Sequence, residues 1–217
     1  MLGVSFLSEI DVFKHLPHSC LEALENDSSV LNCSTGHLFF QPAQTGRALF
    51  VLEEGSVRTF RTFGHRTLTI TVFQPPAIFG VVGCFGYGKY HASAEALQDS
   101  RVRMISRESI QALLECSPLV AHKFVDLMSE RWENFLKKIE TLGRKGLIPR
   151  LATLLLEKAQ NGVVADMTHK DLAGYLGLHR ESITATLGEL RRAGIIAIER
   201  KTIRILHPER LKRAARE

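Results

Sequence analysis

From Val120 to Leu142 the apolar residues Val120, Phe124, Met128, Trp132, Phe135, Ile139 and Leu142 recur at steps of 4, 4, 4, 3, 4 and 3. Only an α-helix gathers that spacing into a single stripe. Ser117-Pro118 precedes the run and Gly143 closes it, which makes a rod of about seven turns. A single hydrophobic core rarely needs a helix so long. The stripe either packs on the chain's own neighbouring layer or is shared with the same helix of a second copy. The near-heptad steps favour the second arrangement, a homodimer with these seven residues at its interface. Gly143 to Gly146 then reads as a hinge that carries Arg144 and Lys145.

Upstream the period changes. Branched and aromatic residues gather in short runs: Leu38-Phe39-Phe40, Ala48-Leu49-Phe50-Val51-Leu52, Ser56-Val57-Arg58-Thr59-Phe60, Thr67 to Phe73, and Arg101-Val102-Arg103-Met104-Ile105. Gly36, Gly46, Gly55, Gly64 and Pro75-Pro76 separate them. Such runs predict a β-sandwich or barrel. Two short helices over residues 8–26, broken at Pro17, precede it. Cys20, Cys33, Cys84 and Cys116 lie 13, 51 and 32 positions apart, which is neither a CxxC pair nor zinc or ferredoxin-type spacing. They read as reduced thiols packed as small apolar groups. No stretch reaches the ~18 apolar residues of a membrane helix and no basic-then-apolar leader is present, so the expectation is a cytoplasmic chain with no membrane partner.

Beyond the hinge, residues 147–193 read as three helices. Leu151, Leu154 and Leu155 line the first, which stops at Asn161-Gly162. Thr168 opens the second with Asp171 three residues on, a capping-box pattern. Leu172, Ala173 and Leu176 face inward, and Gly177 supplies the left-handed residue that ends the helix. Gly177 follows Ala173 after four positions and Ile183 follows after six, the spacing of a helix-turn-helix unit. The third helix buries Ile183, Leu187 and Leu190. Arg180, Glu181 and Thr184 then occupy the N-terminal turn of its opposite face, the part of a recognition helix that enters a major groove. Arg180 can fork onto guanine O6 and N7, and Glu181 can accept from a cytosine amino group. Thr168, His169 and Ser182 flank them as further DNA-contact candidates. Residues 194–198 and 203–206 bracket a hairpin whose basic tip, Arg200 and Lys201, suits phosphate.

Charge agrees with that placement. The chain carries +5 overall, but residues 1–144 hold 14 basic and 15 acidic side chains while residues 145–217 hold 14 and 8. The basic excess therefore lies wholly with the helix-turn-helix and its hairpin, and double-stranded DNA is the polyanion it implies.

Thr45-Gly46-Arg47-Ala48-Leu49-Phe50-Val51-Leu52-Glu53-Glu54-Gly55-Ser56-Val57, Phe79-Gly80, the Leu172-Ala173 and Leu176-Gly177 pairs, Arg180-Glu181-Ser182-Ile183-Thr184 and Gly194-Ile195-Ile196 together give nearly the whole chain a resemblance to one bacterial family. It is that of the cyclic-AMP receptor protein and the fumarate and nitrate reductase regulator (Crp/Fnr). The resemblance implies an α+β architecture: an effector-sensing β-roll, a cyclic-nucleotide-binding-like jelly roll, over residues 1–116; a long dimerisation helix and hinge over 117–146; and a winged helix-turn-helix over 147–217. The function it implies is that of a homodimeric, effector-responsive transcription regulator on a two-fold symmetric operator. RNA polymerase is a further partner, and there is no catalytic site.

The departures are as informative. Cyclic-nucleotide-binding members follow the Phe-Gly pair with a Glu for the ribose hydroxyl and, further on, an Arg-Ser or Arg-Thr pair for the phosphate. Val81 stands at the Glu position, His91 and Ala92 at the pair, and Phe135 and Leu136 where a polar pair reaches adenine. Valine cannot accept a ribose hydrogen bond, and neutral histidine does not replace a guanidinium fork. An effector other than cyclic AMP or cyclic GMP is expected. Gly80, Val81, Val82, Gly83, His91, Ala92, Phe135 and Leu136 remain as effector-pocket candidates, with Phe85 and Tyr87 beside them. Such a lining suits an aromatic or lipid-like ligand, haem with a His or Cys axial ligand, or no ligand at all. The cysteines do not reproduce the N-terminal cluster of the iron–sulfur members, and no metal site is assigned. Ala185 replaces an Arg that many members carry, so one base pair beside the G·C step should be read differently. Two other readings stay open. One is a constitutive DNA-binding protein with a purely structural roll. The other is a small β-barrel metalloenzyme gathering His37, His65 and His91, although the His-x-His…Glu spacing such sites favour is missing.

Overall fold

In the computed structural model, which describes residues 6–85, 88–143 and 146–216, the strand-rich half is a sandwich. Tyr87, Arg144 and Lys145 fall outside the described residues. One sheet has the order β1 (Ser28–Cys33), β8 (Ser100–Ser106), β3 (Ala48–Glu54), β6 (Ala77–Phe79). The other runs β2 (Leu38–Phe40), β7 (Ser93–Ala96), β4 (Val57–Phe63), β5 (Arg66–Phe73). Strand β3 is buried on both faces, and its alternation divides the core. Phe50 and Leu52 join Phe40, Val57, Phe79, Tyr90, Ala94 and Val102 between the sheets. Leu49 and Val51 leave on the opposite face, as successive strand residues must, and pack on a helical layer.

That layer consists of a 3-10 turn (Phe6–Glu9), α1 (His18–Asn26), α3 (Arg107–Cys116) and the start of α4 (Pro118–Gly143). Pro17 does break the N-terminal segment, at the N-cap of α1. Only the second of the two expected helices is regular; the stretch before Pro17 stays in 3-10 and turn geometry, too short to overcome the cost of helix nucleation. Four residues, Val81–Cys84, form α2, opened by Gly80 at φ +78°.

Aromatic rings fill the space between the sheets. Tyr90 stacks on Phe40 at 3.8 Å and Phe50 on Phe79 at 5.0 Å, with Phe39 and Phe73 edging in at 5.1 and 5.9 Å from Phe79. The Tyr90 hydroxyl donates to the Ala48 carbonyl at 2.8 Å, and burial pushes its ionisation up to about 12. Gly83 lies against that ring so closely that a Cβ would come within 2.2 Å of it.

The long helix has 26 residues, and its stripe serves two surfaces, which corrects the expectation of one seven-residue interface. Val120 (3% exposed) and Phe124 (5%) belong to the protomer's own core, where Phe124 meets the edges of Phe13 and Phe85. Met128 is partly buried against the same core. The helix leaves α3 at Ser117, and its first turns are laid back on the helical layer. Trp132, Phe135, Leu136 and Ile139 are exposed further along, and Leu142 is half-buried.

By its contacts the chain divides into residues 1–61 with 70–132, and residues 62–69 with 133–217. The second unit holds α5 (Leu147–Lys158), α6 (His169–Leu176), α7 (Arg180–Arg192) and α8 (Pro208–Ala214) around Leu151, Leu155, Leu172, Ile183, Leu187 and Leu211. Its sheet runs β10 (Ile196–Glu199), β11 (Thr202–Ile205), β9 (Val163–Val164). Helix α5 ends at Lys158, short of Asn161-Gly162. No helix among the described residues is long and apolar enough to cross a membrane.

Two ammonium groups crowd one ring in this unit: Lys138 and Lys158 Nζ lie 5.0 and 4.5 Å from the centre of Tyr175. Burial, reinforced by the charge of Lys158, lowers Lys138 from 10.5 to about 8, and burial raises Tyr175 from 10.0 to about 12. Between 8 and 10.5 the unfolded chain keeps a lysine proton that the folded chain has released, so stability climbs with pH across that window. Above 10 the unfolded tyrosine ionises first and stability falls again. Urea unfolding of the full chain should therefore show greatest stability near pH 10 from these two groups, and Lys138→Met should reduce the climb, leaving the part that Lys158, also lowered by burial, contributes.

Candidate nucleic-acid interface

Helices α6 and α7 meet across a three-residue turn. Thr168 caps α6: its hydroxyl accepts from the Asp171 N–H at 3.2 Å, and Asp171 returns a bond to the Thr168 N–H at 2.8 Å. Gly177, at φ +63°, closes the same helix in the left-handed conformation, and the Leu178 N–H reaches back to the Ala173 carbonyl at 2.9 Å. The Arg150 guanidinium, which no sequence pattern singled out, donates to the Leu176 carbonyl at 2.6 Å and pins the turn from α5. Helix α7 buries Ile183, Thr186, Leu187 and Leu190 at helical spacing. Arg180, Glu181 and Thr184 are exposed, while Ser182 is half-buried at the edge.

Between the start of α7 and the β10–β11 hairpin lies a groove of about 420 Å³ lined by Thr168, His169, Lys170, Arg180, Lys201 and Thr202 among others. Three of these side chains are cationic and none is acidic. Arg200 and Lys201 form the hairpin turn, both at φ +21° and both exposed. His169 contacts α7 directly, its Nδ1 lying 2.9 Å from Thr184 Oγ1. The eight DNA-contact candidates thus fall on one helix N-terminus, the cap of the helix before it and the hairpin tip. That arrangement presents hydrogen-bonding groups at its centre and positive charge at its flank, as a base-reading helix with phosphate-contacting neighbours requires.

A Crp-like helix-turn-helix domain profile matches residues 149–214, and a cyclic nucleotide-binding domain profile matches residues 30–116. The chain is 28% identical over 173 residues to the cyclic AMP receptor protein of Thermus thermophilus, covering 78% of this chain and 80% of that protein. It is 25% identical over 189 residues to the fumarate and nitrate reduction regulatory protein of Escherichia coli K12, covering 83% and 76%. The chain belongs to the Crp/Fnr family of transcriptional regulators. A solved structure from Eubacterium rectale, described as a transcriptional regulator of the Crp/Fnr family, shares the fold with a TM-score of 0.78 at 22% identity, covering 95% of this chain and 98% of its own. The helix-turn-helix makes this Crp/Fnr chain a DNA-binding protein, and the relatives named here are regulators rather than enzymes.

His91 apart, the roll of this Crp/Fnr chain is apolar at its candidate effector positions. Val81 packs in the apolar layer with Val51, Ile78 and Cys84, so the residue that follows Phe79-Gly80 is an interior hydrophobe. Gly80 and Gly83 are set by backbone conformation and by the Tyr90 ring, whereas Val82 is exposed. His91 is exposed and its carbonyl accepts from Arg61 at 2.5 Å; Ala92 is half-buried. Phe135 and Leu136 lie on the part of α4 that belongs to the second unit. These residues offer neither a guanidinium for a phosphate nor a carboxylate for a ribose hydroxyl. Cys84 is a buried thiol pushed up to about 12 by desolvation, a packing group rather than a thiolate ligand. Among the described residues no three His, Cys, Asp or Glu side chains are gathered to hold a metal, so His37, His65 and His91 do not form the cluster that a β-barrel metalloenzyme needs. Arg131 belongs to no sequence motif but is tied into the roll. Its guanidinium donates to the Ile78 carbonyl and sits 5.4 Å from the centre of the Phe73 ring, and burial lowers its pKa to about 10.

Proposed function

We propose that this chain is a homodimeric, sequence-specific transcription regulator of the bacterial cytoplasm whose sensor domain answers to something other than cyclic AMP or cyclic GMP. Arg180 and Glu181 read a G·C step in each half-site, and Thr184 reads a neighbouring base. Thr168, Ser182, Arg200 and Lys201 hold the phosphates on either side, and His169 stands behind Thr184. Two copies joined along Trp132, Phe135, Leu136 and Ile139 place two such helices on a two-fold operator, with RNA polymerase as the downstream partner. The observation that carries the reading is the groove at the start of α7, lined by the cations Lys170, Arg180 and Lys201 and by no acid, with Glu181 exposed next to Arg180.

The stacked rings of Phe40, Tyr90, Phe50 and Phe79 favour a second reading of the sensor, in which it is a structural roll and DNA binding is constitutive. Operator affinity measured alone, with saturating cyclic AMP and with host cell extract separates the cases. A ligand that favours neither dimer arrangement shifts nothing. Cyclic AMP is expected to leave affinity unchanged, and a cyclic-AMP-dependent gain would contradict the proposal. An extract that changes affinity supports an effector, whereas an inert extract supports the structural roll.

A further inference from the structure

Two hydrogen bonds converge on one hydroxyl of the recognition helix. Thr184 Oγ1 lies 2.9 Å from the Arg180 carbonyl one turn back and 2.9 Å from His169 Nδ1 on α6. A hydroxyl has a single proton to give. Given to the imidazole, it would leave two oxygens facing each other at hydrogen-bond distance with no hydrogen between them. Given to the carbonyl, the bond a helical threonine commonly makes to residue i−4, it leaves His169 to supply the second hydrogen. The protonated ring nitrogen is then Nδ1.

We infer that His169 is a specificity-positioning residue. It fixes the rotation of the Thr184 hydroxyl so that an acceptor lone pair and the γ-methyl group are what the side chain offers to a base. This rests on the proposed role of the start of α7 in base reading. In the major groove, adenine and cytosine present exocyclic amino donors, whereas guanine O6 and thymine O4 are acceptors. A locked acceptor takes hydrogen from the first two and meets lone pairs on the others. Without His169 the hydroxyl is held by the Arg180 carbonyl alone and can turn to donate to a base acceptor, which weakens the distinction. The lock lies entirely between α6 and α7, with Thr184 exposed and His169 half-buried, so it can be removed without opening the core.

The test is selection from a duplex library randomised over one half-site, followed by titration of duplexes that differ at the Thr184 position. Wild-type protein is expected to prefer adenine or cytosine over guanine or thymine there by about fivefold, the share of one net hydrogen bond. His169→Ala and Thr184→Val should both reduce that preference while the positions read by Arg180 and Glu181 keep theirs. His169→Asn, whose amide N–H can replace Nδ1–H, should restore it. A nitrogen-15 spectrum of the neutral His169 ring should place the proton on Nδ1. A preference that survives His169→Ala undiminished, a wild-type preference for guanine or thymine, or a proton on Nε2 overturns the inference and leaves the DNA-binding reading standing. Failure to enrich any sequence overturns both.

Discussion

Arg180→Ala is expected to abolish operator recognition while leaving the fold intact. The side chain is exposed at the first turn of α7 and makes no part of the core, so its loss falls on binding. A bidentate arginine–guanine pair is worth ~1–3 kcal/mol. A two-fold dimer loses two such pairs from one substitution, about 2–6 kcal/mol if they add, or roughly 30-fold to more than 10⁴-fold in affinity. Glu181→Ala should cost ~1–3 kcal/mol per half-site and relax one base position. Lys201→Ala should act differently: as a phosphate contact at the hairpin tip of each copy, it should weaken all sequences alike and reduce the salt slope by about two, one per half-site. Titrating operator and scrambled duplexes over a range of salt separates these effects. Equal losses on both duplexes for Arg180→Ala would make that residue a phosphate contact.

The second large effect concerns the far half of the long helix. Ile139 is 48% exposed and Leu136 41% exposed on one chain, apolar surface of the kind a helix pair buries. Ile139→Asp would place a carboxylate in that seam twice per dimer, each without a partner, and removing compensation from a buried charge typically costs ~3–5 kcal/mol. Sedimentation of this variant should show a monomer that unfolds like the wild type and binds an operator half-site only weakly. Phe124→Ala is the contrasting control. Its ring lies in the protomer's own core, so it should destabilise the sensor half by ~3–5 kcal/mol before it affects association. A dimer that survives Ile139→Asp would move the interface elsewhere.

These two variants also show where sequence reading stops. The steps from Val120 to Leu142 establish that seven side chains share a helix face, but spacing carries no information about what covers that face. Only the turn at Ser117 decides that Val120 and Phe124 stay at home. The helix-turn-helix was legible because its signals are local: a cap at Thr168, a left-handed glycine at Gly177, and apolar spacing through Ile183. Strand β9 has two residues and β7 is built from Ser93-Ala94-Glu95-Ala96, so neither carries the branched and aromatic side chains that announce a strand. Helix α8 buries Leu211 from a mostly polar seven-residue run, too short for a period.

Other features depend on pairs far apart in the chain. The stacking of Tyr90 on Phe40 and the His169–Thr184 bond join residues 50 and 15 positions apart, and no periodicity brings them together. The charge count located the basic excess but not its uses. Arg191 and Arg192 close the last turn of α7, where they complement the helix C-terminus, while Arg180 and Lys201 line the groove.

Two copies of this chain are expected to read a symmetric site with two α7 helices. Selecting bound sequences from a randomised duplex library with the full-length protein, and measuring the mass of the resulting complex, tests this most directly. Two inverted half-sites are expected, each containing a G·C step, with centres one helical turn (~34 Å) apart and two chains per duplex. A single asymmetric motif bound by one chain, or no enrichment at all, would contradict this arrangement.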